Sequence, residues 1–233
     1  MKLKNSIIEG LNTLLFPSNC FICGKTGATL CEPCKTYWSL KPRVHQIEGM
    51  RVLSALTYNP ATAKIVLPAK EDRNRAAQRL LAQSLVSSLN YWKAEINFEK
   101  VVFVPIPSTK PAIRRRGESF LHSILRFVAQ EFEENQKMCF VWKEILIHQK
   151  QVKDQAELNP IQRMKNMESA FAMRERRDLA SNVVIGEKEI ILIDDVVTTG
   201  ATLLSANKAL RERNLTVLGA VTACASSQVL PIR

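Results

Sequence analysis

Asp194 and Asp195 stand side by side at the end of an apolar run, Ile190-Ile-Leu-Ile. Thr198, Thr199 and Thr202 follow, with Gly200 among them. A strand that ends in two acids and turns through hydroxyls into a helix describes a sugar-phosphate site. Ligands of open α/β sheets lie at the carboxyl ends of strands. A loop leading into a helix offers backbone N–H groups and the positive dipole end to a phosphate. Gly200 lets the backbone approach that phosphate closely, and the threonines add hydroxyl donors. Carboxylates repel phosphate, so Asp194 and Asp195 should meet ribose hydroxyls or a magnesium ion. The candidate phosphoribose segment is therefore Asp194, Asp195, Val196, Val197, Thr198, Thr199, Gly200, Ala201 and Thr202.

The second cluster is Cys20, Cys23, Cys31 and Cys34, spaced C-x2-C-x7-C-x2-C. Two such knuckles aim four thiolates at one tetrahedral centre, which suits Zn²⁺. An iron–sulfur cluster uses the same ligand type and stays open as an alternative. Disulfides fit poorly with a chain that shows no signal peptide. With four cysteines filling the shell no position is left for water, so the site should be structural. A segment of about 25 residues buries too little to fold alone, and the metal must supply its folding free energy. Cys139 and Cys224 stand apart in apolar surroundings and are expected to be buried free thiols.

These residues need elements to hold them. The chain has 233 residues, 46% hydrophobic, with no low-complexity run. That suits one α/β domain with a small appendage and argues against disorder. We place the appendage at 1–45 and the main domain at 46–233. Met1 to Leu15 reads as a short amphipathic helix. With no membrane span in view, the expected location is the cytoplasm, including its membrane face. Arg51–Tyr58, Lys100–Val104, Phe140–Ile147, Glu189–Ile193 and Thr216–Thr222 read as strands. Ala61–Lys70, Asn74–Trp92, Glu118–Glu134 and Ala201–Arg213 read as helices. Pro105 to Gly117 reads as a loop, and Gln149–Arg163 as loop and short helix. The alternation predicts a mostly parallel sheet flanked by helices. The net charge of +11 favours polyanionic partners, although a solvated basic surface would give the same number.

The segment from Ile191 to Thr202 resembles the phosphoribosyl-pyrophosphate loop of type I phosphoribosyltransferases. With the four cysteines, the chain resembles the ComF family of competence proteins. Further matches are Tyr58 and Lys70, Val104 to Pro107, Arg116-Gly117, and Gln155, Leu158, Arg163, Asn166 and Phe171. The resemblance implies a type I phosphoribosyltransferase-like fold and Mg²⁺-dependent binding of phosphoribosyl pyrophosphate. It also implies that Asp194 and Asp195 are the catalytic pair holding the ribose. Lys110, Arg114, Arg115 and Arg116, with Gln155 and Arg163, would then serve the pyrophosphate side. Two departures stand out. Glu118-Ser119-Phe120 replaces the family's Phe-Asn-Gln after Arg-Gly, and His148 and Lys150 stand where arginines are usual. Altered transferase activity is the expected consequence.

Three functions follow. The resemblance and the charge imply a DNA-uptake factor that binds the sugar phosphate and single-stranded DNA and works with uptake-machinery proteins. A metabolic phosphoribosyltransferase with a small nitrogenous acceptor is the alternative, as is a non-catalytic sugar-phosphate sensor. His45, His122 and His148 are isolated and read as surface or packing residues.

Overall fold

The structure, a computed structural model, describes residues 18–149, 170–174, 189–227 and 229. The N-terminal helix, Gln155, Leu158, Arg163 and Asn166 lie outside the described residues. In chain order the elements are α1 (Glu32–Lys35), β1 (Arg43–Ile47), β2 (Met50–Tyr58), α2 (Pro60–Glu71), α3 (Arg75–Lys93), β3 (Val101–Pro105), α4 (Lys110–Arg116), α5 (Phe120–Gln136), β4 (Leu146–His148), β5 (Phe171–Met173), β6 (Glu189–Val197), α6 (Ala201–Arg211) and β7 (Val217–Ser226).

The central sheet runs β1-β2-β7-β6-β3. The β2–β7, β7–β6 and β6–β3 pairs are parallel, and only β1 is antiparallel, on β2. The fold is thus mixed α/β with a mostly parallel sheet. Alternating side chains divide its core between two faces. Leu53, Phe103, Ile191, Ile193 and Val221 pack with Ile65, Leu81, Leu85, Leu89 and Ile124 of α2, α3 and α5. Val52, Val104, Ile190, Leu192 and Ala220 pack instead with Leu203, Ala206 and Leu210 of α6 and with Phe171. Residues such as Leu85 touch no solvent, so Leu85→Ala removes about 2–5 kcal/mol.

Helix ends are set locally. Asn59 accepts hydrogen bonds from Ala61 N and Thr62 N, and Thr62 Oγ1 accepts from Asn59 N. This reciprocal cap fixes where α2 begins, and hence where Lys70 and Glu71 fall at its other end. Asn74 caps α3 by accepting from Ala76 N and Ala77 N, without a reciprocal bond.

Several expectations need correction. Lys110–Arg116 is a helix rather than loop. Thr109 caps it through Ala112 N, and Gly117 closes it in the left-handed region at φ +81. Of Phe140–Ile147, only the end joins a strand, β4, which pairs with β5. Trp142 makes a single bridge to Phe103, and this stretch packs through its rings, Phe140 stacking on Phe103 at 4.3 Å. Strand β1, which pairs antiparallel with β2, is an element the sequence does not announce. Cys139 is exposed, not buried, because its segment forms no continuous ladder; Cys224 is buried as expected. Among the described residues, no helix is long and apolar enough to cross a membrane.

Candidate functional site

Strand β6 carries the acids further than a loop reading allows: it continues through Val196 and Val197, so the turn itself is Thr198–Gly200. Asp194 sits opposite Thr222 of β7, and Ile106 N donates to Ile193 O at 2.9 Å, which aligns the end of β3 with the acids. A cavity of about 530 Å³ opens there. Asp194, Asp195, Val196, Ala201 and Thr202 line it from the β6–α6 side. Pro107, Ser108, Thr109 and Arg116 line it from the β3–α4 side, with Lys70 and Phe120 between them.

Val197, Thr198, Thr199 and Gly200 do not line this cavity. Thr198 O accepts from Ser226 Oγ at 3.3 Å, and Thr199 Oγ1 accepts from Ala201 N at 3.4 Å. Gly200 adopts φ +83, and a Cβ there would lie 2.5 Å from Ile47 Cγ2. The position therefore needs glycine both for its backbone and for its closeness to β1. No acid occupies the first turn of α6, which leaves the helix start suited to an anion.

Both acids are nearly buried, Asp194 9% and Asp195 7% exposed. Lys70 Nζ lies 2.5 Å from Asp195 Oδ2 and 5.7 Å from the centre of the Phe120 ring. Asp195 N donates to Asp194 Oδ1 at 2.8 Å. Burial pushes the Asp194 carboxyl well above the ordinary carboxylate range, and the Asp195 charge adds to this. The backbone N–H of Asp195 and the Lys70 ammonium act in the opposite direction. Burial, and then the Asp195 charge, push the Cys224 thiol up to about 12, so it is an inert packing group.

The cations are held by Glu71. It accepts from Arg115 Nη2 at 2.6 Å and from Arg116 Nη2 at 2.5 Å. Arg116 is 8% exposed, and its Nε is buried without a partner. Arg116 thus brings a buried cation to the same cavity as the acids. Lys110 lines a neighbouring cavity, while Arg114 and Arg115 line neither. Sequence reasoning missed Glu71, for which no motif exists, and read His148 as isolated. His148 borders both cavities, bonded through Nε2 to Pro107 O at 2.9 Å. The departing segment is also occupied: Glu118 accepts from Arg73 and Arg126, and Phe120 lies under Lys70.

The four cysteines converge. Their sulfur atoms lie within 4.8 Å of one another, and Cys23 Sγ and Cys31 Sγ are 3.6 Å apart. Tetrahedral Zn–S bonds of about 2.3 Å separate sulfurs by roughly 3.8 Å, so the cluster fits such an ion. Gly24 N donates to Cys20 O and Lys35 N to Cys31 O, which closes the knuckles. Burial pushes the Cys20 thiol up, but backbone hydrogen bonds at Cys31, Cys23 and Ile22 outweigh it and bring it down to about 6. Cys34 is pushed up to about 12 by burial and by its sulfur neighbours. Lys64 Nζ donates to Ile22 O at 2.7 Å, and Trp38 is buried in the core with residues of α2 and α3, so the cysteine segment packs against these helices.

No protein-family model matches the chain, and no curated protein matches it. Solved structures do. A hypoxanthine phosphoribosyltransferase from Staphylococcus aureus is 15% identical, with a TM-score of 0.37 over 66% of each chain. An orotate phosphoribosyltransferase from Francisella tularensis is 15% identical, with a TM-score of 0.38 over 84% of this chain and 70% of that one.

Proposed function

We propose that the chain binds phosphoribosyl pyrophosphate, or a closely related sugar phosphate, in the cavity at the carboxyl end of β6. The observation that carries this is the gathering of Asp194, Asp195, Thr202, Lys70 and Arg116 around one space. Opposite charges on facing walls suit a ligand with a neutral diol in the middle and phosphates at its ends. Asp194 and Asp195 take the ribose hydroxyls. The Thr198–Thr202 turn and the start of α6 take the 5-phosphate. Arg116 faces the pyrophosphate, and a magnesium ion accompanies that group, neutralising its charge. If transfer occurs, the two acids also stabilise the positive charge that develops on the ribose ring. Calorimetric titration with phosphoribosyl pyrophosphate and Mg²⁺ tests the reading. Binding is expected for the native chain and lost in Asp194→Ala/Asp195→Ala with the fold retained. Unchanged affinity in the double variant overturns it.

The ComF resemblance supports a role in DNA uptake, with single-stranded DNA held on a basic surface. On the outer face, Arg75 and Arg79 lie 5.8 and 5.2 Å from the centre of the Phe127 ring. Neither makes an ion pair among the described residues. Such cations remain available to phosphates. A transformation assay in a deletion strain complemented with the double acid variant tests this role. Full transformation would separate uptake from the sugar-phosphate cavity.

The four cysteines are assigned a structural Zn²⁺. Metal analysis is expected to give one zinc per chain. Chelation should loosen the docked module and change Trp38 fluorescence. Iron in place of zinc would overturn the assignment.

A further inference from the structure

A second cavity, of about 450 Å³, adjoins the first across a shared wall of Ile106, Pro107, Ser108 and His148. Of the described residues expected to serve the pyrophosphate, Lys110 alone lines it. Its walls are mostly apolar, with Pro105, Ile113, Leu146, Ile147 and Ala172 contributing. Leu146 and Ile147 come from β4 and Ala172 from β5, so the cavity is built on paired strands, Ile147 lying opposite Ala172. Its charged groups are unequal. Lys110 and Arg174 bring two cations, and neither makes an ion pair among the described residues. Arg174 Nε is buried without a hydrogen-bond partner. The lone acid, Glu144, is already engaged by His122 Nε2 at 3.3 Å.

We propose that this cavity is a separate binding site for a planar aromatic acid, its ring against the apolar walls and its carboxylate against Arg174 and Lys110. Apolar walls with a few converging polar groups are the general form of a small-molecule site. They favour a ring over a bare diphosphate, which would leave most of the wall unused and its own charge poorly solvated. Arg174 and Lys110 line the cavity without an ion pair among the described residues, and a guanidinium fits a carboxylate through two parallel bonds. His148, bonded to Pro107 O and packed 4.9 Å from the Phe171 ring, keeps the ligand apart from the acids of the first cavity.

The test uses 2-naphthoate and 2-naphthamide as matched probes on the full chain, followed by calorimetry, with ribose 5-phosphate titrated in parallel. Naphthoate is expected to bind at least about tenfold more tightly than the amide. Arg174→Met and Lys110→Met should each weaken naphthoate about tenfold and leave the amide unchanged. Ala172→Phe, which fills the space, should abolish binding of both probes. Ribose 5-phosphate reports on the first cavity alone, so its failure to bind counts against the proposed function and not against this site. Equal affinity for acid and amide, no binding of naphthoate, or its competitive displacement by inorganic pyrophosphate would each overturn the proposal.

Discussion

Lys70 and Asp195, 125 residues apart in sequence, meet at 2.5 Å across the mouth of the candidate site. The contact ties the end of α2 to the end of β6 and gives a nearly buried carboxylate its counter-ion. Lys70→Met should destabilise the chain by about 1–2 kcal/mol, less than for a fully buried pair because the lysine is 36% exposed. Lys70→Arg should restore part of the loss. Urea denaturation of the three proteins measures this.

Asp194 sets a pH dependence of definite sign. Its folded-state value is raised above the ordinary 3.8, chiefly by burial. The folded chain therefore holds a proton that the unfolded chain gives up. Its stabilising contribution is complete below about 3.8 and is lost as pH rises through the raised folded value. Asp194→Asn should remove that decline, so its stability relative to the native chain should grow between pH 4 and pH 8. Denaturation curves across that range check it, and a constant difference would contradict the assigned burial effect.

Glu71 has the opposite sign. Its carboxyl is held below the ordinary 4.5, first by Arg116 and then by Arg115. The stabilisation it gives is present above about 4.5 and disappears as pH falls through the depressed folded value. Glu71→Gln should lower the thermal midpoint at pH 7, and the gap should close in acid. It should also weaken binding of phosphoribosyl pyrophosphate, because Arg116 loses the group that holds it.

Gly200→Ala should destabilise by about 1–3 kcal/mol, through a left-handed backbone and contact with Ile47. Thermal melting measures the loss. Binding of ribose 5-phosphate should fall more than stability alone explains, since the turn must shift to admit the methyl group.

What the sequence reveals and what it hides divide by range. The β6 strand, its two acids and the helix after Gly200 are visible because their chemistry is contiguous. Helix α3 is visible because Leu81, Leu85 and Leu89 repeat at helical spacing along one buried face. Helix α4 is hidden by prolines and three consecutive arginines, which read as loop until the Thr109 cap and Gly117 stop are placed. Strand β1 is hidden because its five residues carry too weak an alternation to stand apart from the cysteine segment. The Lys70–Asp195 and Glu71–Arg116 pairs are invisible in one dimension, since only the folded chain brings the end of α2 to β6 and α4.

Ile47 ends the strand that follows the cysteine module, and it lies against Gly200, the one residue of the turn after β6 that has no side chain. Under the proposed function, β1 is therefore a buttress for ligand capture. A graft of a foreign metal-binding module would leave Ile47 in the chain but would have to hold β1 in the same place, or the Gly200 turn would lose its backing.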